Sequence, residues 1–209
     1  MLTPLAARNA INGPLAAAAF AVGGGATVYL HDTCSGSVAS ISGRTPDTIQ
    51  LNSNVWGIDI YGAGTRIIQT DGAGKFESPS GTFTPYGTYD LETDTYTLTL
   101  GITLGVITAV CPRYADINNH FECAIRNNRL EIRERTAGPA TVRATTLGTF
   151  VDGTRYECQL VLTPTSMEFT VDSTVCSYAS TSKNSNTEFA IAPLNTSTLH
   201  KWDSIKAVA

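Results

Sequence analysis

The sequence predicts an all-β antiparallel sandwich preceded by a short helical arm, and three observations carry that prediction. Short runs rich in Val, Ile, Thr, Tyr and Phe recur along the chain, separated by Gly, Pro, Asn and Asp. Two of those runs pair into hairpins with a definite register. No long amphipathic helical pattern appears after residue 25. A chain of 209 residues suits one such domain, because sandwiches often pass 200 residues without dividing. The reading is therefore an arm and glycine hinge over residues 1–25 and a sandwich over residues 26–209.

The arm comes first in the chain. From Met1 to His31 the only formally charged side chain is Arg8. Thr3-Pro4 reads as a helix cap and first helical position. Gly13 interrupts the helix, Leu15 to Ala21 restart it, and Gly23-Gly24-Gly25 end it with a hinge. An Ala-rich helix of this length is marginal alone in water. Its apolar side chains Leu2, Leu5, Ile11, Leu15 and Phe20 therefore require a surface to bury against. That surface is the chain's own sandwich, a sister subunit or another protein of an assembly. A signal peptide is the alternative, since Leu15 to Val22 resembles a short apolar core followed by small residues, although the region before it is poor, with one Arg and interruptions at Pro4 and Pro14.

The first hairpin runs from Phe121 to Arg126, turns at Asn127-Asn128, and returns from Arg129 to Arg133. Asparagine tolerates the positive φ that a two-residue turn needs. Centring the turn there pairs Ile125 with Leu130 and Cys123 with Ile132 on one face. Glu122 then meets Arg133 on the other face, and Arg126 meets Arg129 where solvent can screen them. The second hairpin turns at Pro164-Thr165 and sets Leu162 against Met167, Leu160 against Phe169 and Cys158 against Val171. Both registers place Cys123 and Cys158 inward as small buried hydrophobes.

Further strands are expected at 27–30, 55–61, 66–70, 75–78, 96–104, 106–111, 141–147, 175–179, 188–192 and 199–208. No repeat of fixed period is visible. Charged residues form 15% of the chain, against the ~25% usual in soluble domains, so Thr, Ser, Asn and Gly must supply surface polarity. The net charge of −4 argues against a basic nucleic-acid footprint. No run reaches 18 apolar residues, which excludes a spanning helix. Five cysteines cannot pair completely within one chain, and free thiols indicate folding in a reducing cytosol. The lack of CxxC or a mixed Cys/His cluster gives no ground for a zinc site. No cofactor or metal is expected.

One order of features carries a resemblance. His31-Asp32-Thr33-Cys34 leads to Gly43-Arg44-Thr45-Pro46-Asp47, and Trp56 follows nine residues later. This resembles the opening of concanavalin A-like (lectin/glucanase) jelly-roll domains of bacteriophage virion proteins. Those begin with an Asp-x-Phe strand, a Gly-x-Thr-Pro-Asp turn and a Trp strand; here Cys34 stands in place of Phe. Later features are similar too: the hairpin with Arg126, Leu130 and Ile132, a strand from Tyr156, a strand with Phe169, and a closing Trp202-Asp203 strand. The resemblance spans residues 26–209. It implies a jelly roll used in tails, fibres and capsid decorations, often for attachment or glycan contact.

The candidate chemistry is sparse. Asp90, Glu92 and Asp94 repeat acids at period two, which on a strand would line one face. A retaining glycosidase needs two carboxyl groups about 5–5.5 Å apart, so catalysis is conceivable there. The order of residue types is reversed relative to the Glu-x-Asp-x-Glu pattern of glycosidases of the resembled fold. A solvated turn is the stronger reading, and a calcium site a lesser one. Arg126, Arg129, Arg133 and Arg135 form a basic group interleaved with Glu122, Glu131 and Glu134, which reads as a self-compensated solvated sheet face. Tyr86 and Tyr89 flank Gly87 in an expected loop, and with Asp90, Glu92 and Asp94 form the expected glycan contact. Trp56 is expected in the core, and Tyr61 in a strand.

The expectation is therefore a non-enzymatic virion protein of a phage-like particle, made in the host cytoplasm. The arm would anchor it to other virion proteins, and a homo-oligomer is expected. The displayed jelly roll would serve assembly or contact host-surface glycans, with no nucleic-acid partner. The alternatives are a glycan hydrolase acting through Asp90, Glu92 and Asp94, and a secreted carbohydrate-binding module.

Overall fold

The computed structural model of the protein describes residues 27–49, 54–60, 67–78, 84–195 and 199–209. The arm, with Leu2, Leu5, Ile11, Leu15 and Phe20, lies outside the described residues, as does Tyr61. Sixteen strands are described, in two antiparallel sheets. The first sheet contains β1 (Val28–Asp32), β2 (Thr48–Ile49), β4 (Gln69–Thr70), β5 (Phe76–Glu77), β7 (Tyr96–Thr103), β12 (Arg155–Thr163), β13 (Ser166–Val171), β14 (Thr174–Ala179) and β16 (Lys201–Val208). Its order is β14-β13-β12-β7-β16-β1-β2, with β5 joining β16 to β4. The second sheet contains β3 (Gly57–Ile60), β6 (Pro85–Asp90), β8 (Ile107–Tyr114), β9 (Asn119–Arg126), β10 (Arg129–Thr136), β11 (Thr141–Leu147) and β15 (Glu188–Pro193). Its order is β11-β10-β9-β8-β15-β6-β3.

Both hairpin registers stand as the alternation requires. Ile125 faces Leu130, Cys123 faces Ile132 and Glu122 faces Arg133. Leu162 faces Met167, Leu160 faces Phe169 and Cys158 faces Val171. The inward residues of both sheets form one core, including Leu98, Leu100, Ile125, Ile132, Leu160, Phe169, Phe189 and Trp202. All five cysteines are buried free thiols. No helix among the described residues is long and apolar enough to cross a membrane.

The segment carrying the family resemblance is a polar latch beside this core. Asp32 at the end of β1 is wholly buried. Its carboxylate accepts from Arg44 Nε (3.1 Å) and Nη2 (2.8 Å), the Trp56 indole (2.9 Å) and the Cys34 amide (2.7 Å). Gly43, at φ +77°, donates its amide to the Trp56 carbonyl, and Trp56 donates back to that of Arg44. Asp47 accepts from the Thr33 amide at 2.8 Å and from its hydroxyl. Trp56 itself is core, packed on Phe76, Tyr89 and Phe189.

One strand departs from expectation. Residues 85–90 form β6 between β15 and β3, not a loop. Pro85 is tolerated because it opens the strand. Gly87 serves packing: a Cβ there would lie 2.8 Å from Ile41 Cδ1 and 3.2 Å from Ile191 Cγ1. β6 and the two-residue β2 are the strands that local pattern did not disclose.

Candidate functional site

Alternation in β9 and β10 assigns two faces. Phe121, Cys123, Ile125, Leu130 and Ile132 belong to the sandwich core. His120, Glu122 and Arg126, with Arg129, Glu131, Arg133 and Arg135, therefore project from the outer face of the second sheet. Cross-strand pairing sets Arg135 beside His120, Arg133 beside Glu122, and Arg129 beside Arg126. The result is one row of arginines and carboxylates along a single hairpin.

The carboxylates in that row are buried, which corrects the expectation of a solvated face. Glu122 receives Arg135 through Nη2 (3.0 Å) and Nε (3.2 Å), and Arg133 Nη1 lies 3.0 Å from its second oxygen. Glu131 receives Arg126 Nε and Arg129 Nε, each at 2.6 Å. The facing pair Arg126 and Arg129 is thus bridged by a shared carboxylate that offsets half of its charge, and is not screened by solvent alone. Burial pushes the Glu122 carboxyl up, but the His120 ring and the charges of Arg133 and Arg135 outweigh it and hold the group below its ordinary value. Glu131 follows the same logic: burial raises it, and the Arg129 and Arg126 hydrogen bonds bring it lower still.

An aromatic cluster adjoins the row. The His120 ring stacks on Tyr114 at 5.2 Å and meets Tyr86 edgewise at 5.1 Å. Nδ1 of His120 donates to the Asp116 carbonyl at 2.9 Å, which fixes the hydrogen on that nitrogen. The Tyr114 hydroxyl donates to Asp59 Oδ2 at 3.0 Å. Glu188 on β15 pairs with Tyr114 of β8 on one side and Asp90 of β6 on the other. Burial, joined by the charges of Asp59 and Asp90, raises the Glu188 carboxyl despite a hydrogen bond to Thr88. His120 Nε2 and Arg133 Nε are buried atoms without a hydrogen-bond partner, and Glu122 Oε2 meets Arg133 Nη1 as an ion pair.

The residues expected to contact glycan are placed otherwise. Tyr86 and Tyr89 are 2% and 1% exposed in β6, so neither presents a ring to solvent. Three residues apart on a strand, they also point to opposite faces. Tyr86 lies outward against Tyr114, whereas Tyr89 lies inward against Trp56. Asp90 Oδ1 accepts from the Glu92 amide (2.8 Å) and the Thr187 hydroxyl (2.6 Å), building the turn into β7. Glu92 takes φ +57° and accepts from the Asn54 side chain at 3.2 Å; Asp94 accepts from the Thr95 hydroxyl at 3.1 Å. These acids form a turn and no period-two strand face. Among the described residues no group of His, Cys, Asp and Glu is arranged to hold a metal ion.

No protein-family model matches the sequence, and no curated protein matches it. Solved structures do share its fold. One is from work on endo-acting O-glycanases that prominent human gut bacteria use to begin mucin breakdown. It is 14% identical, covering 88% of this chain and 99% of that chain, with a TM-score of 0.54. SCLam, a non-specific endo-β-1,3(4)-glucanase of family GH16, is 8% identical over 88% of this chain and 91% of that chain, at 0.53. Domain 4 of AbnA, a GH43 extracellular arabinanase from Geobacillus stearothermophilus, solved with arabinotriose, is 11% identical over 88% and 92%, at 0.50. At such identities the likeness is one of fold alone: the chain is an all-β antiparallel two-sheet sandwich, as its jelly-roll-like neighbours are.

Proposed function

We propose that this is a non-catalytic glycan-binding jelly-roll domain whose β9–β10 arginine–carboxylate row contacts the sugar. The observation behind this reading is that Arg126, Arg129, Arg133 and Arg135 are each tied to a buried carboxylate yet remain 17–33% exposed. A guanidinium held by one edge keeps further N–H donors in fixed directions, so little rotamer entropy is lost when a hydroxyl or carboxylate docks. The fold supports the reading, since Domain 4 of AbnA was solved with arabinotriose. Display of many copies on a virion surface is the proposed setting, where avidity multiplies weak contacts. The arginines hold Glu122 and Glu131 ionised, so neither is suited to donate a proton to a leaving glycosidic oxygen.

A glycan panel probed with wild type and with Arg129→Gln and Arg135→Gln tests the proposal. Wild-type binding that falls about tenfold or more in both variants, each with unchanged circular dichroism, is expected, corresponding to ~1.4 kcal/mol or more. Unaltered binding in both variants would overturn it. A second reading, hydrolysis, is favoured by one observation: the Glu188 carboxyl is raised by burial and has a second carboxyl group, Asp59, close enough to act on it. Sugar release by wild type that disappears in Glu188→Gln would establish that reading instead.

A further inference from the structure

The outer face of the second sheet poses a problem beside the arginine row. Tyr86, Ala109, Cys111, Tyr114, Ala124, Ala190 and Ala192 form a second apolar cluster, bordered by Ile107, Ile117 and Leu194. They face away from the sandwich core, yet every member of the cluster is 2% exposed or less. Among the described residues no strand packs on this face: strand contacts run between sheet neighbours or across the core, as β10 and β11 do with β14. An apolar sheet face closed to solvent needs a cover.

From this we infer that the cover is the chain's own N-terminal segment, residues 1–26, lying along the floor formed by Ala109, Ala124, Ala190 and Ala192. Composition selects this occupant. The other segments outside the described residues are 50–53, 61–66, 79–83 and 196–198, and their large apolar side chains are Leu51, Tyr61 and Phe83. Residues 1–26 carry Leu2, Leu5, Ile11, Leu15, Phe20 and Val22 among many alanines, with Arg8 their one charged side chain. Small side chains on both surfaces let a backbone approach closely and recover dispersion contacts.

Chain geometry agrees. Thr27 accepts from the Ala209 amide, and Val208 pairs with Thr97 beside the start of β7. That end of the sandwich also holds Asp90, which the turn at 91–95 joins to β7, with Glu188 and Tyr114 paired alongside. The arm therefore leaves the first sheet at the Tyr114 end of the apolar face. Residues 22–27, extended, span roughly 20 Å, enough to pass a sandwich ~10 Å thick between sheets. From Glu188 to Leu194 the floor runs roughly 20 Å at strand rise, and the segment 5–21, if helical, runs roughly 25 Å. The arm and the face thus match in length, polarity and point of departure.

Photo-cross-linking of the full chain tests this, with benzoylphenylalanine replacing Leu15 at low protein concentration. Intramolecular products joining residue 15 to peptides containing 107–114 or 188–194 are the expected result. Products confined to the first sheet, or found only between two copies, would overturn the inference, the latter identifying a second copy as the occupant. Leu15→Asp combined with Phe20→Asp should raise anilinonaphthalene sulfonate fluorescence several-fold while circular dichroism retains the sandwich signal. No rise in that variant would also overturn it. Glycan binding through Arg129 and Arg135 is a separate readout, so neither result depends on the other.

Discussion

Asp32→Ala is expected to destabilise the domain by about 3–5 kcal/mol, the largest single loss foreseen for a side chain outside the apolar core. Four donors converge on this one buried carboxylate: two from Arg44, the Trp56 indole and the Cys34 amide. Removing it strands a guanidinium that is only 18% exposed and orphans two buried N–H groups. Each orphan costs ~1–3 kcal/mol in desolvation that nothing recovers. The latch also holds Trp56 in a cage of Phe76, Tyr89 and Phe189, so its loss loosens aromatic packing between the sheets. Asp32→Asn keeps one acceptor oxygen and should lose roughly half as much. Urea unfolding measures both, the midpoint moving by ~2 M or more for Asp32→Ala at an ordinary slope. A change below ~1 kcal/mol would mean that the four hydrogen bonds contribute nothing net.

The contrast between what was legible in the sequence and what was not follows from the range of the interactions. The β9–β10 and β12–β13 registers could be read because a two-residue turn joins strands whose apolar residues alternate strictly, so a one-residue slip would bury Glu122 or Gln159 in the core. β6 could not, because Pro85 and Gly87 have the composition of a turn. Gly87 is explained only by Ile41, Ile68 and Ile191, which meet it from distant parts of the chain. The acids at 90, 92 and 94 misled in the converse way. Their spacing is that of a strand face, but the left-handed backbone at Glu92 ends the alternation. For the arginine row, the hairpin register already set Glu122 beside Arg133. What it could not supply was the burial of those carboxylates, or the approach of Asp59 and Glu188, which β3 and β15 bring to the cluster through the nonlocal order of the sheet. Outward His120, Glu122, Arg133 and Arg135 on one registered hairpin were the available signal.

Glu122→Gln should remove about 2–4 kcal/mol at neutral pH, and that loss should shrink in acid. The substitution keeps shape and discards charge, leaving Arg133 and Arg135, 18% and 17% exposed, without the buried carboxylate that compensates them. Their partial contact with water places the cost below that of a fully enclosed pair. Because the folded Glu122 titrates below its ordinary value of 4.5, its ionisation stabilises the fold at pH above the unfolded value. That contribution fades as pH falls from about 4.5 through the lower folded value, where the carboxyl of wild type protonates and comes to resemble glutamine. Glu131 and Glu134 are lowered as well and add to the same acid limb. Glu188 has the opposite sign. Raised in the fold, it contributes stability below its unfolded value that disappears as pH rises through the folded one, so Glu188→Gln should gain slightly at pH 7 and nothing at pH 3. Unfolding midpoints at pH 7, 5 and 3 separate the two carboxylates. Wild-type and Glu122→Gln curves that converge in acid are expected; curves that stay parallel from pH 7 to pH 3 would show that the charge of Glu122 is not what holds the arginine row.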